Sequence, residues 1–96
     1  LLLSDYLVQL AQQQLNYYRV GGISFAQMLA SLNYMLSDYN SNYFLNAIIS
    51  HYGISHSTFI EMSSGVLNPS DVFKSKIVNF IQECLHEEAI SYTVKS

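Results

Sequence analysis

Apolar residues recur three and four positions apart through most of this chain, and the recurrence breaks at glycines, at the single proline and at clusters of capping residues. That period places apolar side chains on one side of a helix; it does not fit the alternation of a strand. An all-α fold follows. The stripe Leu3, Tyr6, Leu7, Leu10, Ala11, Leu15, Tyr17, Tyr18 predicts a first helix, with Gln12, Gln13 and Gln14 outward and Gly21-Gly22 as its stop. Ser24 with Gln27 reads as a capping box ahead of Phe25, Met28, Leu29, Leu32, Met35 and Leu36, and that stripe ends near Ser37–Asn40. A third helix runs from about Ser41 or Asn42 to His51 and breaks at Gly53. Ser55 caps a short fourth helix carrying Phe59 and Met62, which Gly65 closes. Asn68 as cap, Pro69 in the first helical position and Asp71 in the first turn open a fifth. Its apolar positions are Val72, Phe73, Ile77, Val78, Phe80, Ile81, Cys84 and Leu85, and it is expected to end near His86–Glu88. Residues 90–94, β-branched and aromatic, read as a short edge strand.

Ninety-six residues make one domain and suffice for one buried core. The expected organisation is a single helical domain over 1–96: an N-terminal helix over 1–20 as a candidate dimerisation element, a core over 24–86 and a tail over 89–96. Charged residues are only 11% of the chain, less than half the usual share, so the surface is sparsely charged. Eight Tyr and five Phe without Trp place aromatic rings in the core or at an interface, and tyrosine tolerates being half wet. Cys84, the only cysteine, has no partner for an internal disulfide. Leu1-Leu2-Leu3 is too short for a signal peptide, and no apolar run approaches the roughly 20 residues that span a bilayer. The default compartment is the cytoplasm, with no membrane and no small-molecule substrate implied. A chain opening on Leu is expected to have residues before it in the native protein.

Between Leu45 and Pro69 two helices meet at a glycine turn, and the second is short, which is the shape of a helix-turn-helix. Gly53, Ile54, Ser55, Ser57-Thr58, Phe59, Met62, Gly65 and Asn68-Pro69 stand at the spacings of a known pattern. Over roughly residues 25–85 the chain resembles the Xre family of lambda-repressor-like helix-turn-helix regulators. The resemblance implies a five-helix lambda-repressor-like domain with an extra N-terminal helix, acting as a dimeric, DNA-binding transcriptional regulator. It also implies that Ser55, His56, Ser57, Thr58 and Glu61 face the DNA, with Lys74 and Lys76 on flanking phosphates.

The departures from the pattern bear on that function. Ile49 stands where the family has a small residue, and Leu45 where it has a phosphate-contacting Gln. The outward positions of the short helix are His56, Ser57, Ile60 and Glu61, without the Arg or Lys common there. Four cations, Arg19, Lys74, Lys76 and Lys95, oppose seven acids, a net charge of −3 and the reverse of a nucleic-acid footprint. The alternative is a helix-turn-helix shape that binds a protein, as a regulatory or antagonist partner, and not DNA. A homodimer or partner surface would draw on Leu3, Leu7, Leu10 and Tyr17, with Tyr6, Tyr18, Tyr39 and Tyr43 as further candidates.

No enzyme, metal or cofactor is implied. His51 and His56 straddle a turn, and Cys84 and His86 stand two apart, so neither pair has zinc-ligand spacing. The expected common core is Ile48, Ile54, Phe59, Met62, Ile77, Phe80 and Ile81.

Overall fold

A computed structural model of the chain describes residues 5–39 and 43–95, and side chains over 6–35 and 46–86. Five helices follow in order: α1 (Asp5–Arg19), α2 (Phe25–Tyr39), α3 (Tyr43–Tyr52), α4 (His56–Ser64) and α5 (Asp71–Lys95). The protein is all-α, with no strand among the described residues.

Local chemistry fixes the helix ends. At the end of α1, Gly21 takes φ +80°, and the amides of Gly21 and Gly22 donate to the carbonyls of Tyr18 (3.0 Å) and Tyr17 (2.8 Å). Those are the paired bonds of a Schellman stop. Ser24 and Gln27 form the reciprocal capping box. The Ser24 amide donates to Gln27 Oε1 (2.8 Å), and the Gln27 amide donates to Ser24 Oγ (3.1 Å). At α5 the expectation needs correction. Ser70, and not Asn68, is the cap: its Oγ accepts from the Phe73 amide at 3.3 Å, and its carbonyl accepts from the Lys74 amide at 2.9 Å. Pro69 therefore precedes the helix.

The far end of α5 also differs from the sequence reading. Residues 89–95 continue the helix, so 90–94 form no edge strand. After Pro69 the chain contains neither glycine nor proline, and Glu87-Glu88-Ala89 are good helix formers, so nothing breaks the helix before the β-branched residues.

α2 lies centrally, packing on α1, α3 and α4, while α1 packs on α5 and α3 on α4. The core collects Val8, Ala11 and Leu15 of α1, Phe25, Met28, Leu29 and Leu32 of α2, and Ile48 of α3. Phe59 and Met62 come from α4, and Ile77, Val78, Ile81 and Leu85 from α5. Of the expected common core, Ile48, Phe59, Met62, Ile77 and Ile81 are buried, and Ile54 and Phe80 pack half-buried against them. Val72, counted with the apolar stripe of α5, is exposed on the far side of the helix from Ile81.

α1 turns a different side inward than its stripe suggests. Val8, absent from that stripe, is buried, and Tyr6 and Tyr17 are exposed. Apolar residues occupy two sides of this helix; the side that faces the core carries the small Ala11, which permits close approach of α2 and α5. Gln12 is not outward either. Its amide and that of Gln82 on α5 exchange two hydrogen bonds, 2.9 and 2.6 Å, across the helix pair. No helix among the described residues is long and apolar enough to cross a membrane.

Candidate functional site

Between α3 and α4 the chain reverses through Gly53, Ile54 and Ser55. Gly53 has φ +64°, a conformation a side chain strains, although a Cβ there would meet no atom within 4 Å. Ile54 packs on the core and fixes the turn from below. Ser55, extended at φ −84° and ψ 161°, caps α4, its Oγ accepting from the Thr58 amide at 3.1 Å. The same oxygen lies 2.9 Å from Thr58 Oγ1 and 3.0 Å from Ser57 Oγ, so three hydroxyls share hydrogen bonds at the start of α4. At the other end Gly65, φ +84°, closes the helix, and its amide donates to the Met62 carbonyl at 3.4 Å.

Phe59 and Met62 anchor α4 to the core, and that fixes what it shows outward. Its exposed residues are His56, Ser57, Ile60, Glu61 and Ser64, with Thr58 half-buried. This side has one carboxylate and no Lys or Arg.

The two lysines expected on flanking phosphates are not brought together. Lys74 is half-buried, its Nζ 5.8 Å from the centre of the Phe25 ring at the start of α2, a cation–π arrangement. Lys76, two positions on, stands about 200° round α5. It is exposed, and lines a cleft of about 280 Å³ with His51, Tyr52, Asn79, Phe80 and Glu83. Arg19 is directed across α1, its Nη1 donating to Gln82 Oε1 at 2.9 Å.

The residues expected at a surface of the N-terminal helix differ in exposure. Tyr17 and Tyr6 are exposed, Leu10 is half-buried, and Leu7 packs half-buried on the core. Tyr18 sits edge-on to Phe25, with ring centres 5.8 Å apart. Leu3 lies outside the described residues, as do the side chains of Tyr39 and Tyr43.

Sequence reasoning missed the cluster that holds α3 against α5. The Tyr52 hydroxyl donates to the Lys76 carbonyl at 2.6 Å, and its ring meets Phe73 and Phe80 edge-on at 5.5 and 5.7 Å. His51 stacks on Phe80 at 4.2 Å, so its ring serves packing. Burial pushes the Tyr52 phenol above its ordinary value of 10.0, and the negative charge of Glu83 and of the Cys84 thiolate adds to this. Phe73 and Phe80, two helical turns apart on α5, were the available signal: a ladder of rings on one helix needs a ring from another to fill between them.

In class, this is a five-helix all-α domain with a tight glycine turn between α3 and α4. No protein-family model, no curated protein and no solved structure matches the chain.

Proposed function

We propose that α3, the turn and α4 form a helix-turn-helix used to bind a protein partner, and that the chain is an interaction module and not a DNA reader. The observation that carries this reading is the outward side of α4, which presents His56, Ser57, Ile60 and Glu61 and no cation. Affinity for DNA rests on Lys and Arg neutralising phosphates, through both attraction and release of counterions. Here Lys74 is drawn over Phe25, Lys76 stands on another side of α5, and the chain carries a net charge of −3. Glu61 would repel a phosphate. Against a protein the same residues are suited: Ile60, 45% exposed, is an apolar anchor, and Glu61 beside it accepts hydrogen bonds from a cation or an amide. The partner surface this fits is an apolar hollow with a Lys, an Arg or backbone N–H groups at its rim.

DNA binding as a dimeric regulator, implied by the family resemblance, stands as the second reading, and one observation favours it. The hydroxyls of Ser55, Ser57 and Thr58 gather at the N-terminal end of α4, where the helix dipole and free amides favour an anion. A polarisation titration of labelled random duplex DNA at ~50 mM salt, where phosphate contacts are least screened, separates the two. The interaction reading expects no change in polarisation at micromolar protein. The regulator reading expects saturable binding that Glu61→Gln tightens and Lys74→Ala with Lys76→Ala weakens on all sequences alike.

A further inference from the structure

A pocket of about 230 Å³ lies where the start of α2, the end of α4, the α4–α5 loop and the first turn of α5 meet. Phe25, Met62 and Leu67 give it apolar walls, and Ser24, Asn68 and Lys74 stand among them. Backbone bonds hold this frame. The Leu67 amide donates to the Glu61 carbonyl at 3.1 Å, which folds the loop back on α4, and the Lys74 amide donates to the Ser70 carbonyl at 2.9 Å.

Three donors line the pocket without an acceptor among the described residues. Lys74 is half-buried and forms no ion pair there; its Nζ stands 5.8 Å from the centre of the Phe25 ring. Asn68 is placed by sequence to cap α5, but Ser70 takes that role, and the Asn68 side-chain amide bonds to nothing among the described residues. Ser24 Oγ accepts from the Gln27 amide, so its hydroxyl proton remains to be donated. No Asp or Glu lines the pocket, although acids outnumber cations seven to four in the chain. A partly desolvated ammonium beside two unused donors is matched by an anion, whose hydrogen bonds to a cation are roughly twice as strong as neutral ones.

We propose that this pocket binds a small organic monocarboxylate with an apolar body. The carboxylate accepts from Lys74 Nζ, the Asn68 amide and the Ser24 hydroxyl, and the hydrocarbon lies against Phe25, Met62 and Leu67. One cation with two neutral donors matches a single negative charge. A phosphate would bring close to a second charge with no cation to meet it, and an inorganic anion would leave the apolar walls unused. The volume is below the roughly 300–1,000 Å³ of sites for drug-sized ligands, so an acid of about six carbons suits it. The site does not depend on what α4 binds.

An amide NMR titration of the full chain with sodium hexanoate at neutral pH is expected to give saturable shifts at Ala26, Gly65 and Asn68, with a dissociation constant on the order of 1 mM. Hexanamide, of the same shape without the charge, and acetate, charged without the body, should each bind at least ~10-fold more weakly. Lys74→Met keeps an apolar stem beside Phe25 and removes the charge, and should weaken hexanoate at least ~10-fold. Asn68→Ala, at an exposed position, should weaken it about 3-fold. Lys76→Met, on another side of α5, should leave it unchanged. If Lys74→Met loses the helical circular dichroism of the parent, Asn68→Ala and the comparison of hexanoate with hexanamide decide. No saturable shift up to ~20 mM hexanoate, hexanamide bound as tightly as hexanoate, or binding lost with Lys76→Met and kept with Lys74→Met would overturn the proposal.

Discussion

Replacing Phe59 by Ala tests how α4 is held, because its magnitude can be worked from the packing. α4 buries only Phe59 and Met62, and both are closed to solvent. Transfer of the lost ring to water accounts for about 1.5–3 kcal/mol. The cavity left behind raises the total to about 3–5 kcal/mol, because α2 and α5 are fixed by their own contacts and collapse only partly. A chain of 96 residues is stable by roughly 5–14 kcal/mol, so the change removes about a fifth of the total or more. The midpoint of thermal unfolding should fall by roughly 15–30 °C. Urea unfolding followed by far-ultraviolet circular dichroism measures the loss, with the slope against urea expected to match the parent. Ile60→Ala, the next residue but outward, is the control and should shift stability by no more than about 0.5 kcal/mol. A loss below about 1 kcal/mol for Phe59→Ala, or an equal loss for Ile60→Ala, would refute the reasoning and remove the assigned register of α4.

Two further outcomes follow from the turn and from the α3–α5 contact. Ser55→Ala removes the acceptor for the Thr58 amide and should cost about 1 kcal/mol in urea unfolding, with Ser57→Ala costing less because it caps nothing. Tyr52→Phe removes the bond to the Lys76 carbonyl and should cost about 0.5–1.5 kcal/mol at neutral pH. It should also flatten the alkaline limb of the stability profile. The folded phenol titrates above 10.0, so the folded chain keeps its proton where the unfolded chain has lost it. This contribution is complete below about pH 10 and is lost as pH rises through the folded-state value. A parent and variant with the same alkaline limb would show that Tyr52 is not its source.

Helix number and most helix ends were legible because they depend on neighbours in sequence. Ser24 with Gln27, Ser55, Gly21 and Gly65 act within a turn or two of themselves and bond as their spacing requires. Where two local signals competed, the sequence did not decide. Asn68 and Ser70 are both good caps, and the chain uses Ser70. The continuation of α5 through 90–94 was misread because β-branched residues suggest a strand, although no breaker separates them from a helix already running. For α1 the difficulty was of another kind. The helix is apolar on two sides, and which one turns inward depends on the fit of Ala11 and Val8 against α2 and α5, a tertiary fact. The candidate site divides in the same way. The outward residues of α4 follow from helical period once Phe59 and Met62 are inward. The fates of Lys74 over Phe25 and Lys76 beside Tyr52 depend on how α5 crosses α2 and α3.

The central claim is that the exposed side of α4 meets protein and not nucleic acid, and a photo-cross-linker placed at Ile60 reports on it directly. A benzophenone side chain at this half-exposed position leaves Phe59 and Met62 in the core. Irradiated in extract from cells that make the protein, it should give discrete adducts that protease destroys and nuclease does not. Glu61→Lys beside it should abolish those adducts by reversing the charge at the contact. Adducts that nuclease removes, and that Glu61→Lys increases, would contradict the account and identify α4 as a DNA-reading helix.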